Sequence, residues 1–156
     1  MSDVHLIKGD FNKLATNLPL ILEKHMLLID QADSRLIMSG KTIETCLKEQ
    51  GAYPIQYAVA KSELNAICKY ITAEIGKIRG ELYRKYVEDY SRELSDRGRN
   101  QYIDTDTTYL NYNQLLIEVE ELYEQMTAVV DAFQTRGFAL RDTTTIRVNQ
   151  LHNTVI

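Results

Sequence analysis

Between Tyr112 and Phe138, apolar side chains recur at Tyr112, Leu115, Val119, Leu122, Met126, Val129 and Phe133. Their alternating steps of three and four place them on one stripe of a long amphipathic helix. The segment also carries Glu118, Glu120, Glu121, Glu124 and Asp131, with no Lys or Arg before Arg136. Its exposed flank is therefore acidic and unsuited to touching phosphates. Gly137, free to take positive φ, is expected to end the helix just past its last turn.

A second stripe, Leu64, Ile67, Cys68, Ile71, Ile75, Ile78, Leu82 and Tyr86, predicts another long helix from Ile55 to about Tyr90. Both have the coiled-coil-like period that suits side-by-side packing. Upstream, Pro19 fits a first helical position, where its missing N–H is not needed, and Leu22, Met26, Ile29, Ala32 and Leu36 follow to about Ile37. Residues 1–17 have weak periodicity and read as a loose or partner-dependent arm. Ser39-Gly40 interrupts the pattern, Ile43 and Leu47 resume it, and Gly51 and Pro54 are expected to end it. Ser95 to Thr108 is polar and reads as an exposed loop, in which Asp104 or Asp106 caps the following helix. Beyond Gly137, Asp142 caps a short last helix with Ile146 and Leu151, or the tail is an extended docking arm, since Thr143-Thr144-Thr145 is β-branched.

These patterns predict an all-α chain of long amphipathic helices packed as a small bundle. Its 156 residues, 44% hydrophobic and 26% charged, fit one domain: an arm over 1–17, a helical core over 18–136 and a tail over 137–156. A formal net charge of −4 argues against indiscriminate binding to DNA or membranes, while leaving local patches open. Cys46 and Cys68 are two distant thiols, and no leader or long apolar span accompanies them. A reduced intracellular compartment and no membrane span are the simplest expectation.

Little in the local sequence points to catalysis. Ser39-Gly40-Lys41-Thr42 lacks the glycine of a phosphate-binding loop, where Arg35 stands, and lacks a strand leading into it. His5, His25 and His152 are isolated, neither Cys neighbours a His, and Asp104 and Asp106 have no third ligand nearby. No enzyme activity, metal or cofactor is expected. The chemistry that does stand out is basic and tyrosyl. At about 100° per residue, Lys77 and Arg84 fall opposite the second helix's stripe, with Lys85 flanking and Arg79 nearer its border. Tyr83, Tyr86 and Tyr90 are interleaved, the combination with which single-strand binders stack bases and track phosphates. The plainer alternative is a solvated face held by pairs such as Glu81 with Lys85, with the tyrosines as boundary packing.

The run Asp131-Ala132-Phe133-Gln134-Thr135-Arg136-Gly137-Phe138-Ala139-Leu140-Arg141, with Ile146-Arg147 beyond, resembles the C-terminal signature of the UvsY family, the recombination mediators of T4-like bacteriophages. Tyr102-Ile103-Asp104-Thr105-Asp106 is similar to the acidic turn before that family's last long helix, and the basic, tyrosine-rich region ending at Tyr90-Ser91 to its DNA-binding segment. The resemblance covers roughly Lys69 to Arg147. It implies an accessory protein without catalytic activity or cofactor that forms a ring-shaped homo-oligomer, a hexamer or heptamer. The implied partners are single-stranded DNA, the phage RecA-like recombinase and the phage single-stranded-DNA-binding protein, in the cytoplasm of the infected bacterial host.

The family's Lys-x-Arg DNA contact has two placements. As a literal motif it is Lys77 and Arg79; counted back from Tyr90-Ser91, Arg84 takes the lysine position and Tyr86 the arginine position. The candidate DNA-binding residues are Lys77, Arg79, Arg84, Lys85, Tyr83 and Tyr90. The tail residues Phe138, Leu140, Ile146 and Leu151 are the candidates for contact between subunits, the alternative being that Phe138 and Leu140 fold back onto their own bundle. The competing function is a structural or adaptor helical oligomer without DNA binding.

Overall fold

The computed structural model describes residues 4–9, 11–88 and 95–152, the side chains of Val4, Leu151 and His152 excepted. Among them all regular structure is helical: α1 (Val4–Ile7), α2 (Phe11–Asp30), α3 (Ala32–Leu36), α4 (Ile43–Glu88), α5 (Asp96–Asp104) and α6 (Thr107–His152). The protein is all-α. Segments of α2, α4 and α6 enter both of two compact units, one of residues 1–17 and 63–121, the other of 18–62 and 122–156.

In the first unit, Ile7, Leu14, Leu64, Ile67, Ile71 and Ile103 are almost wholly buried. The α4 residues among them belong to the stripe that the three- and four-residue steps pick out. Phe11 of α2 lies against Tyr112 of α6 with ring centroids 4.9 Å apart. The Tyr70 hydroxyl of α4 accepts from the Gly9 backbone N–H at 3.1 Å.

In the second unit, Tyr57 of α4 and Phe133 of α6 are fully buried and lie 4.9 Å apart, centroid to centroid. Tyr57 also donates its hydroxyl to the Leu28 carbonyl of α2 at 3.0 Å, so a single residue ties three helices. Buried His25 places Nδ1 2.7 Å from the Ile21 carbonyl; a carbonyl can only accept, so Nδ1 carries the proton.

Four expectations about element ends change. The first long helix begins at Phe11, and Pro19 lies inside it, because buried Leu14, Leu18, Ile21 and Leu22 hold the segment on both sides of the ring. The buried stripe consequently runs through His25, and Met26 points outward at 54% exposure. Gly51 and Pro54 end nothing: α4 is continuous over 46 residues with Pro54 inside, since packing at Cys46 and Tyr57 flanks the lost donor. Ser95 to Thr108 contains α5, capped by the Ser95 hydroxyl, which accepts from the Gly98 N–H at 3.3 Å. Asp106 does cap α6, its Oδ1 accepting from Thr108 and Tyr109 N–H at 2.8 and 3.2 Å.

The fourth change concerns the signature itself. Gly137 does not stop α6, which continues to His152. The described glycines with positive φ are Gly9 and Gly40; Gly40 makes the break between α3 and α4, as its place after Ser39 predicts. Gly137 serves close approach instead, for a Cβ there would stand 3.1 Å from Nε2 of Gln50. That nitrogen donates to the Phe133 carbonyl at 2.9 Å.

Candidate nucleic-acid interface

The second half of α4 and the short α5 assemble a basic and tyrosyl cluster in the first unit. Ser95 starts α5 one residue before Asp96, and three residues on, one turn away, comes Arg99. The Arg99 Nη1 donates to Asp96 Oδ1 at 3.0 Å and to the Tyr83 hydroxyl at 3.3 Å. Its guanidinium also lies 5.7 Å from the Tyr83 ring centroid, within cation–π range. One turn back along α4, Arg79 reaches the Tyr109 hydroxyl of α6 at 3.5 Å and the Asn100 side-chain oxygen of α5 at 3.4 Å. Both contacts are long and neutral, so the exposed Arg79 keeps its charge uncompensated by them.

The cluster therefore presents two guanidinium groups beside two tyrosines. Cations attract the sugar-phosphate backbone, and tyrosine faces stack on unpaired bases. The Tyr83 side chain is exposed, which leaves the ring partly available to a base. Arg99 is more enclosed: its Nε is buried and has no hydrogen-bond partner among the described residues.

Of the sequence candidates, Arg79 and Tyr83 meet here. Lys77 and Arg79 do not share a face, for two residues turn a helix by about 200°. Lys77 is instead held by the Glu74 carboxylate three residues before it, which, with its negative charge, pushes the lysine pKa up. Arg84, seven residues after Lys77, returns to the same side. Arg84 and Lys85 are exposed, and the Glu81–Lys85 pair expected on the solvated face is not among the ion pairs of the described residues. Tyr86 is half-buried against Tyr102, with centroids 5.5 Å apart. Tyr90 lies outside the described residues. Asn100 and Tyr109 carry no mark in the sequence, whereas Arg99 follows the tyrosine-rich stretch and its helical spacing from Asp96 is the signal that points to α5.

The tail candidates divide. Phe138 is 59% and Ile146 57% exposed, whereas Leu140 is buried in its own chain at 4%; the side chain of Leu151 lies outside the described residues.

Arg136, beside Gly137, is buried in the second unit and faces away from solvent chemistry. It donates to the Leu36 carbonyl at 3.2 Å, the Cys46 carbonyl at 3.2 Å, Gln50 Oε1 at 3.0 Å and Glu49 Oε2 at 2.6 Å. Lys41 bonds both oxygens of the same Glu49 carboxylate at 2.9 and 3.0 Å, which gives the lysine of Ser39-Gly40-Lys41-Thr42 a structural task.

No protein-family model, curated protein or solved structure matches the chain. Among the described residues, no three His, Cys, Asp or Glu are grouped to hold a metal ion, and no helix is long and apolar enough to cross a membrane.

Proposed function

We propose that this chain is a recombination mediator that binds single-stranded DNA and helps load a RecA-like phage recombinase in place of the single-stranded-DNA-binding protein. The observation that carries the reading is the pairing of guanidinium and tyrosine groups on one flank, Arg99 with Tyr83 and Arg79 with Tyr109. The order of features from Lys69 to Arg147 that resembles the UvsY family supports it from the sequence side.

A few cations per subunit bind DNA weakly, and a net charge of −4 opposes them. A closed homo-oligomer, hexamer or heptamer, overcomes this by presenting the flank many times along one strand. Exposed Phe138 and Ile146 are its proposed subunit contacts. Preference for unpaired strands comes from base faces that meet Tyr83. Exchange of the competing single-strand binder for the recombinase requires that the strand be held in a form the recombinase binds more tightly.

A second reading, a structural or adaptor helical oligomer, is favoured by one feature: Leu47, Ile55 and Val59 of α4 are all exposed by about half or more. An exchange assay separates the two. Recombinase filament formation on strands pre-coated with the single-strand binder accelerates under the first reading; no acceleration at any protein concentration rejects it.

A further inference from the structure

We infer that Asp96 is an internal competitor for the phosphate backbone, occupying the Arg99–Tyr83 pair until a strand displaces it. The inference rests on the proposed single-strand-binding role and adds a means of regulating that site.

The Asp96 carboxylate does at this pair what a phosphate oxygen does. A single oxygen, Oδ1, takes a charge-assisted hydrogen bond from Arg99 at 3.0 Å and lies 3.5 Å from the Tyr83 hydroxyl. Its hold is weak by construction. The Asp96 side chain is 82% exposed, so water screens the pair and a solvated carboxylate leaves at little cost. The Arg99 side chain is only 20% exposed, and its Nε has no partner among the described residues. The cation is thus enclosed and short of acceptors, while the anion that faces it is exposed and replaceable. Such an asymmetry favours exchange for an anion with more oxygens, a phosphodiester being the one repeated along a strand.

The Ser95 cap holds α5 through the Gly98 N–H, independently of the Asp96 carboxylate. Loss of the Asp96 charge therefore frees the cation without removing the helix cap. Strand binding then costs the separation of a surface ion pair in the wild type, and nothing equivalent in Asp96→Asn.

The test is fluorescence anisotropy of a labelled oligothymidylate across a salt series for wild type, Asp96→Asn, Asp104→Asn, and Asp96→Asn in an Arg99→Gln background. Asp104→Asn removes the same charge from the other end of α5, where the residue is also exposed, and controls for net charge. Asp96→Asn is expected to tighten binding about twofold to fivefold, the range set by an exposed ion pair. Asp104→Asn is expected to change it less, and the gain is expected to vanish without Arg99. Equal gains from Asp96→Asn and Asp104→Asn, or a gain that survives Arg99→Gln, overturn the competitor role while wild-type binding keeps the mediator reading. No binding by the wild type at low salt overturns both.

Discussion

Gln50 of α4 lies against Gly137 of α6, its amide nitrogen only 3.1 Å from where any larger residue would put a Cβ. The amide is fixed at both ends, Nε2 by the Phe133 carbonyl at 2.9 Å and Oε1 by Arg136 at 3.0 Å. A retreat of a few tenths of an ångström would strain both bonds.

Alanine at Gly137 therefore sets two effects against each other. Helix propensity favours it by about 1 kcal/mol, while the crowded amide is pushed off two hydrogen bonds that are together worth about 2 kcal/mol or more, one of them being to a charge. The loss wins. Gly137→Ala is expected to lower the stability measured by urea unfolding by about 1 kcal/mol, whereas Gly76→Ala, a helical position with nothing within 4 Å of the added carbon, is expected to raise it by about 0.5–1 kcal/mol.

Arg136 supplies a harsher test. Its guanidinium is buried with the Glu49 carboxylate, the partner side chains being 3% and 17% exposed. Arg136→Met removes four donated hydrogen bonds at once and leaves the Cys46 carbonyl without this donor. A loss of about 3–5 kcal/mol is expected on breaking such a buried pair. Because Lys41 also holds Glu49, the carboxylate is not stranded, and the loss is expected near the lower end of that range. Thermal unfolding of the two proteins measures it; a shift no larger than that of a surface substitution refutes the role.

Tyr57 makes stability depend on alkaline pH. Burial raises its pKa above 10.0, an effect that the nearby Arg35 charge only partly offsets. A raised folded pKa means that folding favours the neutral hydroxyl, which alone can donate to the Leu28 carbonyl. The contribution is present in full below pH 10 and is lost as pH rises through the folded value. Urea midpoints of the wild type are expected to fall from about pH 10 upward more steeply than those of Tyr57→Phe. Parallel pH profiles refute the assignment.

The proposed subunit contacts make a prediction about mass. Phe138→Ser with Ile146→Ser replaces two exposed apolar residues and is expected to leave helicity unchanged while light scattering reports a smaller assembly. An unchanged assembly mass rejects these two residues as contacts. Leu140 is unsuitable for the same test, since it is buried in its own chain.

What the sequence made legible follows from what periodicity measures. Of the predicted stripe, Tyr112, Val119, Leu122, Met126 and Phe133 are buried and Leu115 and Val129 half-buried, because side-chain direction in a helix is set by the backbone alone. Helix ends were less legible. Pro19, Pro54 and Gly137 are local breakers by type, yet each lies within a continuous helix, since packing on both sides outweighs a cost of about 1–3 kcal/mol. For the site, helix geometry separated Lys77 and Arg84 from Arg79, but no one-dimensional pattern could bring Tyr109 to Arg79 across thirty residues. The Arg-Gly pair of the signature was visible as a motif, and its physical basis, a buried guanidinium and a glycine cleared for Gln50, required the packed helices.

The most direct measurement is fluorescence anisotropy of a labelled single strand against duplex of equal length across a salt series, for wild type and for Arg79→Ala with Tyr83→Ala. The account predicts preference for the single strand, affinity that falls steeply as salt rises, and a weaker, shallower salt dependence in the variant. Absence of single-strand binding by the wild type at low salt, or binding that the variant leaves unchanged, contradicts it.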